Sequence, residues 1–188
     1  MGRTGSKRQT FALLIVLFLL SRAADAAATY MVTPDLRHET NPIVSVFGEG
    51  WAGLLVAQIV LSALVIGLTH WDLFRSRLPY PPQGGLEFPE FAQAYYFGRK
   101  STLLDFLWRP PVGWRLNLKL AGYSAPRVLI VFGFLVATSS IASLHSEGWR
   151  GVLRATSPWM YFVPACLLAL WSIYGFLRRE FQSYVDAA

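Results

Sequence analysis

The sequence predicts an all-α membrane protein with four transmembrane helices. Of its 188 residues, 54% are hydrophobic and only 15% are charged, and its mean hydropathy is +0.38. Soluble domains carry roughly 25% charged residues, so a soluble core of this composition is not expected. A helix needs about 20 mostly apolar residues to cross a bilayer, and each predicted span has this length. The spans are residues 11–32, 51–70, 124–144 and 158–177, within one integral membrane domain over residues 1–188.

Basic residues orient these spans, because Arg and Lys gather on the cytoplasmic side of a membrane. Thirteen of them precede the first span, lie between the second and third or at the very start of the third, or follow the fourth, whereas Arg37, Arg150 and Arg154 lie in the two opposite loops. The bias predicts that both termini and the long loop of residues 71–123 are cytoplasmic. The net charge of +6 is then explained by topology and contact with anionic lipid, so nucleic-acid binding is not expected.

The first span has a second interpretation as a secretory signal peptide. A basic amino end, the apolar core FALLIVLFLL and small residues around Asp25 are also typical of a cleaved leader. Arg22 is unusual in a short cleavage region, so we expect the span to be retained, and removal of residues 1–26 stays the alternative. Cleavage would leave three spans without changing the orientation of the remainder.

The long cytoplasmic loop is divided by proline and glycine clusters at residues 79–85 and 110–113. Between them, residues 89–108 can form a helix that has aromatic and aliphatic side chains on apolar faces and Arg99 and Lys100 on the polar side. Aromatic residues combined with basic residues favour a helix that lies at the membrane interface. The alternative is a loop packed over the mouth of the helix bundle.

Polar residues of all four spans concentrate in the outer half of the predicted bundle. Asp25 and Thr29 lie four residues apart, so they share one face of the first helix, and Gln58 reaches a similar depth from the second. Since such groups cannot face lipid at low cost, the sequence predicts a polar ligand pocket that opens to the outer face. Its candidate residues, from the spans and the first outer loop, are Asp25, Thr29, Glu39, Asn41, Gln58, Ser139, Ser143 and Tyr161.

Structural roles compete with these assignments. Arg22 and Asp25 lie three residues apart and can simply neutralise one another. Serine-rich helix faces commonly serve close packing between membrane helices. Asn41 followed by Pro42 is typical, first of all, of a turn that starts the next segment.

A metal site is a further hypothesis for the outer loops. Imidazole and carboxylate groups are common ligands of divalent transition metals, and the candidates are His38, Glu39, His145 and Glu147. Their spacing matches no recognised metal signature, and adjacent residues seldom point toward one ion. The sequence does not identify a cofactor.

The pattern Asp25-x-x-x-Thr29, followed by Glu39-x-Asn41-Pro42 and an apolar helix, resembles the signature of an uncharacterised family of small bacterial multi-span membrane proteins. The similarity covers about residues 11–70. It implies a helical bundle in a bacterial membrane, with these five residues as the family positions, and it implies no particular activity. The resemblance also favours retention of the first span, because cleavage after residue 26 or 27 would separate Asp25 from Thr29.

Two classes of function follow. The favoured class is a non-enzymatic multi-pass protein of the bacterial inner membrane, either an accessory subunit or a scaffold that binds a small ligand or lipid. Its expected partners are the lipid bilayer, other membrane subunits or further copies of itself. The alternative is an intramembrane hydrolase in which Asp25 or Glu39 acts as a general base or metal ligand. No H-E-x-x-H or G-x-S-x-G motif is present, which favours the first class.

Overall fold

The computed structural model describes residues 3–36, 50–76, 78–99, 102, 105, 109–156 and 159–187. Within these ranges all regular secondary structure is helical. A π-helical turn, Trp71–Arg75, continues the second helix without a break. The α-helices are α1 (Arg3–Val32), α2 (Gly50–His70), α3 (Phe88–Phe97), α4 (Trp114–His145), α5 (Glu147–Thr156) and α6 (Trp159–Val185).

Four of these helices are long and apolar enough to cross a membrane, which confirms the predicted all-α class with four spans. They are α1, α2 with its π turn, α4 and α6. α1 begins at Arg3 and not at residue 11. Two later boundaries also differ from the prediction: α4 begins at Trp114 and not at residue 124, and α6 continues to Val185 and not only to residue 177. Both extensions carry charged residues that the sequence pattern assigned to loops. Lys, Arg and Glu favour helix, and those of them that are buried here form ion pairs, as described below.

α4 is the central helix of the assembly. It packs against α1, α2 and α6, whereas α6 makes no comparable contact with α1 or α2 within the described ranges. Lys7 near the start of α1 and Lys119 near the start of α4 line the same cavity, and Arg22 lies beside Gly133 farther along both helices, so these two helices run in the same direction. Gly122 near the start of α4 contacts Leu68 near the end of α2, so these two are antiparallel.

α6 is also antiparallel to α4, because Lys119 near the start of α4 bonds to Glu180 near the end of α6. The four spans therefore alternate in direction, and the beginning of α1 and the end of α6 lie at the same end of the assembly. We call this the basic end; it is where α1 and α4 begin and where the π turn and α6 end.

Two glycines let α4 approach its neighbours closely. A Cβ atom added at Gly122 would overlap with the backbone carbonyl of Leu68 and with the Cβ of Asp72. A Cβ atom added at Gly133 would overlap with the guanidinium group of Arg22. Small residues at such positions are typical of packed membrane helices, where they bring backbones into contact.

The helix predicted in the long loop is present as α3, which covers the first half of the predicted segment. Glu87 and Glu90 form a capping box at its start. Gly98 ends it with a left-handed backbone (φ 67°), which glycine adopts without steric cost. Most of the predicted second half, residues 100–108, lies outside the described residues. Its position at the membrane interface stays a prediction.

An aromatic cluster joins α3 to the end of α6. Phe91 of α3 is fully buried and stacks on Tyr95 with ring centroids 5.2 Å apart. The cluster, which contains residues from both helices, comprises Phe91, Tyr95, Phe176, Phe181 and Tyr184. Large aromatic side chains contribute much of the energy of such a core, so the cluster fixes α3 over the basic end.

The sequence pattern does not predict α5, which follows α4 at the opposite end. The Ser146 hydroxyl accepts the backbone N–H of Trp149 at 3.1 Å, and the Trp149 indole donates to the Ser139 carbonyl at 3.2 Å. The Nε of Arg150 donates to the Ser143 carbonyl at 3.1 Å. A helix of this length is not stable alone in water, so these bonds to α4 explain why the segment is helical.

Candidate functional site

A polar cavity of about 550 Å³ lies at the basic end, where all four spans converge. Its wall contains residues of α1, the π turn, α4 and α6, together with part of the loop before α3. Four cationic side chains and two carboxylates line it. These charged residues are Lys7, Asp72, Lys119, Arg127, Arg179 and Glu180.

The π turn positions the first carboxylate, that of Asp72. Its wider winding is closed by a bond from the Ser76 N–H to the Trp71 carbonyl at 2.8 Å. The Asp72 side chain is only 1% exposed and accepts two parallel bonds from Arg179, at 2.7 and 2.8 Å. Such a two-bond contact between guanidinium and carboxylate is among the strong hydrogen-bonded pairs in proteins.

The second carboxylate, that of Glu180, is bonded on both oxygens. One oxygen accepts from Arg179 at 2.8 and 3.1 Å. The other accepts from Lys119 at 2.5 Å and from the Tyr95 hydroxyl at 3.2 Å. Because the side chains of Lys119 and Glu180 are 7% and 4% exposed, this pair is a buried ion pair that depends on its hydrogen bonds.

The pKa values of two tyrosines near Glu180, Tyr80 and Tyr95, are raised. Burial raises the pKa of Tyr95, and the negative charge of Glu180 raises that pKa further. Burial also raises the pKa of Tyr80, again with Glu180 as the second cause. Both phenols therefore remain neutral O–H groups at ordinary pH.

Arg127 and Lys7 differ from the other two cations of the cavity. Neither makes an ion pair among the residues that the structure describes. The Arg127 guanidinium donates to the Tyr123 carbonyl of its own helix and lies 3.7 Å from the centroid of the Tyr123 ring. Since Asp72 and Glu180 are already bonded to other partners, the cavity carries uncompensated positive charge. Chemically, this arrangement is suited to holding an anion.

At the opposite end, the structure brings three of the predicted pocket residues together. Asp25, Thr29 and Gln58 line one small pocket of about 40 Å³, with Arg22 and Trp51 beside them. A water molecule needs roughly 10–15 Å³ by this kind of measure, so the pocket has room for a few water molecules. Binding sites for organic ligands are usually about 300–1,000 Å³, a range that the basic-end cavity meets.

Arg22 occupies the interface between α1 and α4 beside this pocket. It donates to the Leu129 backbone carbonyl at 2.9 Å and lies 3.4 Å from the Asp25 carboxylate. The proposed neutralisation of Asp25 by Arg22 is therefore present as a long ion pair. The stronger contact of Arg22 is with the backbone of α4, which the sequence pattern does not predict.

The other predicted pocket residues lie elsewhere. Ser139 and Tyr161 share a hydrogen bond of 2.9 Å between α4 and α6, and the Ser143 hydroxyl donates to the Ser140 carbonyl of its own helix at 2.6 Å. None of these lines the small pocket. Glu39 and Asn41 lie outside the described residues.

The hypothesis of a metal site is only partly covered by the structure, because His38 and Glu39 lie outside the described residues. The Nδ1 atom of His145 lies 3.0 Å from the Ile141 carbonyl oxygen of the same helix. Glu147 is exposed at the start of α5. In the described part of the chain, no group of three His, Cys, Asp or Glu side chains could hold a metal ion.

Sequence reasoning missed the basic-end cavity, although one signal was available. Lys119, Arg127 and Arg179 were counted as basic residues that set the orientation, and Asp72 and Glu180 were given no role. A carboxylate among basic residues at the end of a span is unexpected for simple contact with anionic lipid. Two such carboxylates, on spans that end at the same side, indicate an ion-pair network.

Comparisons with known proteins do not extend this description, since no family model, no curated protein and no solved structure matches the chain. The resemblance over residues 11–70 stays a prediction. Function is therefore argued from the geometry of the site.

Proposed function

We propose that the chain is a non-enzymatic, multi-pass protein of a bacterial inner membrane that binds a small ligand in the basic-end cavity. The observation that carries the proposal is the cavity itself: about 550 Å³, polar, and formed by every span. Lys7 and Ser183 are exposed at its rim, so a ligand can enter from this end. The excess of basic residues here supports a cytoplasmic location for the cavity.

The bonding of the carboxylates supports a binding role over a catalytic one. A general base has to lie within hydrogen-bond reach of the proton that it removes, and the side chains of Asp72 and Glu180 are only 1% and 4% exposed. Asp72 and Glu180 accept hydrogen bonds from Arg179, Lys119 and Tyr95 on all four carboxylate oxygens. They are placed to hold cations in position and not to accept a substrate proton.

The prediction that the polar site at the opposite end faces outward and binds a ligand stays a prediction. Its size suits water molecules, and Arg22 in its wall is bonded to the backbone of α4. We therefore assign the ligand to the basic-end cavity and propose that Asp25, Thr29 and Gln58 form a small hydrated site between α1 and α2.

The functional proposal is tested by filling the cavity. Ser183→Trp places a large ring in the cavity wall, and Gln182→Trp is the matched control, because Gln182 is its exposed neighbour and does not line the cavity. Each variant is expressed in a strain from which the chromosomal copy is deleted, and growth across a panel of conditions is measured beside membrane abundance. We expect normal abundance for both and loss of complementation for Ser183→Trp alone. Full complementation by Ser183→Trp would overturn the proposal.

The orientation is tested by labelling single cysteines in intact cells. Arg75→Cys and His145→Cys lie at opposite ends of the assembly and are exposed, and Cys166→Ala removes the native thiol. A membrane-impermeant maleimide should label position 145 and not position 75. Labelling of both positions, or of position 75 alone, would contradict a cytoplasmic basic end.

A further inference from the structure

We propose that the ligand of the basic-end cavity is the phosphate ester of a hydroxylated molecule, held by Arg127 and Lys7. This inference rests on the proposed function and adds the chemical class of the ligand. The phosphate ester can come from a soluble polyol phosphate or from the headgroup of an anionic glycerolipid, because both present the same chemistry.

The charge of the cavity requires an anion. Arg179 donates hydrogen bonds from four of its five N–H groups to Asp72 and Glu180, so both carboxylates are already bonded within the cavity wall. Arg127 donates one N–H to the Tyr123 carbonyl, and its other four N–H groups have no acceptor among the described residues. A cation inside the span region without a counter-charge is costly, and an anionic ligand removes that cost.

The guanidinium groups of both arginines in the cavity wall lie near one aromatic ring. Those of Arg127 and Arg179 lie 3.7 and 4.6 Å from the centroid of the same ring, that of Tyr123. They are therefore separated by no more than the sum of those two distances. A phosphate group presents several oxygens in different directions, so it can accept from Arg127 through one oxygen and face Lys7 with another.

The rest of the cavity suits hydroxyl groups. The hydroxyls of Thr10, Ser76 and Ser183 donate to carbonyls of their own helices, which leaves their oxygens as acceptors on the cavity side of the wall. A ligand hydroxyl can donate to such an oxygen. The volume of about 550 Å³ also exceeds the space that a lone phosphate ion fills, so the cavity has room for a phosphate ester of a larger molecule.

Binding to the purified full chain in detergent micelles tests the proposal by calorimetry and native mass spectrometry. Glycerol 3-phosphate probes the soluble source, and dioctanoyl phosphatidylglycerol probes the lipid source. Glycerol and dioctanoyl phosphatidylcholine are the matched probes that lack net negative charge, and all titrations are made at one ionic strength. We expect saturable one-to-one binding of one anionic probe, which identifies the source.

Variants locate the site. Arg127→Gln and Lys7→Gln should each weaken binding of that probe about tenfold, because each removes one charge-assisted contact. Arg75→Gln and Arg8→Gln change exposed basic residues of the same end that do not line the cavity, and they should change the affinity less than twofold. Lys7 is exposed, so Lys7→Gln decides the outcome if Arg127→Gln fails to fold.

Three results would overturn the ligand class: no saturable binding of either anionic probe, equal binding of the uncharged or zwitterionic probes, or equal weakening by Lys7→Gln and Arg8→Gln. These results are separate from a failure of the functional proposal. If Ser183→Trp abolishes complementation while no phosphate ester binds, the cavity still binds a ligand, and only its assigned chemistry is wrong.

Discussion

The two polar regions of the helix assembly place charge near lipid in different ways. At the basic end, Asp72 and Glu180 are shared among several donors on three helices, and two further cations are left over. At the opposite end, Arg22 is the only cation beside the small pocket within the described residues, and it is bonded to a backbone carbonyl of α4. The first arrangement leaves charge available to a ligand, whereas the second uses it to hold two helices together.

The largest expected effect comes from breaking the ion-pair network at the basic end. Glu180→Gln leaves buried Lys119 without its carboxylate, and breaking a buried ion pair costs about 3–5 kcal/mol in the free energy of unfolding. The measurement is reversible unfolding in micelles. Glu147→Gln, which changes an exposed carboxylate at the opposite end, should cost at most about 1 kcal/mol.

A double variant sharpens this result. Lys119→Met combined with Glu180→Met should recover most of the loss, because apolar replacement of both members of a buried pair is often neutral or stabilising. Equal losses in Glu180→Gln and Glu147→Gln would contradict a stabilising network at the basic end.

The second effect concerns the opposite end. Arg22→Gln removes a charged donor from the Leu129 carbonyl, and hydrogen bonds to charged groups contribute about 1.5–3 kcal/mol. Asp25→Asn should cost less, because its contact with Arg22 is 3.4 Å long. Both are measured by unfolding and by complementation. Unchanged stability together with lost complementation in Arg22→Gln would instead support the predicted ligand pocket at this end.

The third effect compares the two ends through glycines of α4. Gly122→Ala brings a Cβ into the backbone of α2, which should cost about 1–3 kcal/mol because a packed backbone must move. Gly133→Ala would displace the Arg22 Nη2 atom that donates to the Leu129 carbonyl, so it should cost about as much as loss of that bond, about 1.5–3 kcal/mol. Gly67→Ala is the control: its Cβ meets no atom within 4 Å, and the higher helix propensity of alanine should stabilise by up to about 1 kcal/mol. An equal response of all three would contradict the close packing of α4.

The smallest effect has a pH signature. Tyr95→Phe removes the phenol that donates to Glu180 at 3.2 Å and should cost about 1.5 kcal/mol at neutral pH. Burial raises the pKa of Tyr95 above the usual value near 10, so its stabilising contribution is complete below pH 10 and is lost as the pH rises through the folded-state pKa. Unfolding measured from pH 8 to 11 should therefore show a steeper alkaline loss in the parent than in Tyr95→Phe. Parallel curves would contradict the role of Tyr95.

The four spans could be predicted from the sequence because apolar length is a local property. The true start of α4 and the true end of α6 could not, since Lys119 and Glu180 can be buried at these ends only because they pair with each other from separate helices. The same limit explains α5, which is stabilised by bonds from Trp149 and Arg150 to α4.

The two polar sites could likewise be predicted only in part from the sequence. Sorting residues by depth brings Asp25, Thr29 and Gln58 to one level, and the structure places all three around one pocket. Depth alone does not say how much empty space lies between helices, so it gave no means to distinguish a pocket of about 40 Å³ from a cavity of about 550 Å³. That difference depends on helix packing, and here it depends on the π turn and on Gly122.

The central position of α4 has a consequence for biosynthesis. α1 and α2 pack mainly against α4 and touch each other through rings near their ends, as Phe11 does with His70 and Tyr30 with Trp51. Synthesis proceeds at roughly 5–20 residues per second, so both helices wait for several seconds before α4 emerges. During that interval Arg22 lacks the Leu129 carbonyl of α4, and Asp72 lacks Arg179 until α6 is also made. We therefore expect the nascent chain to be most exposed to quality-control proteases after α2 has been made and before α4 and α6 have packed against it.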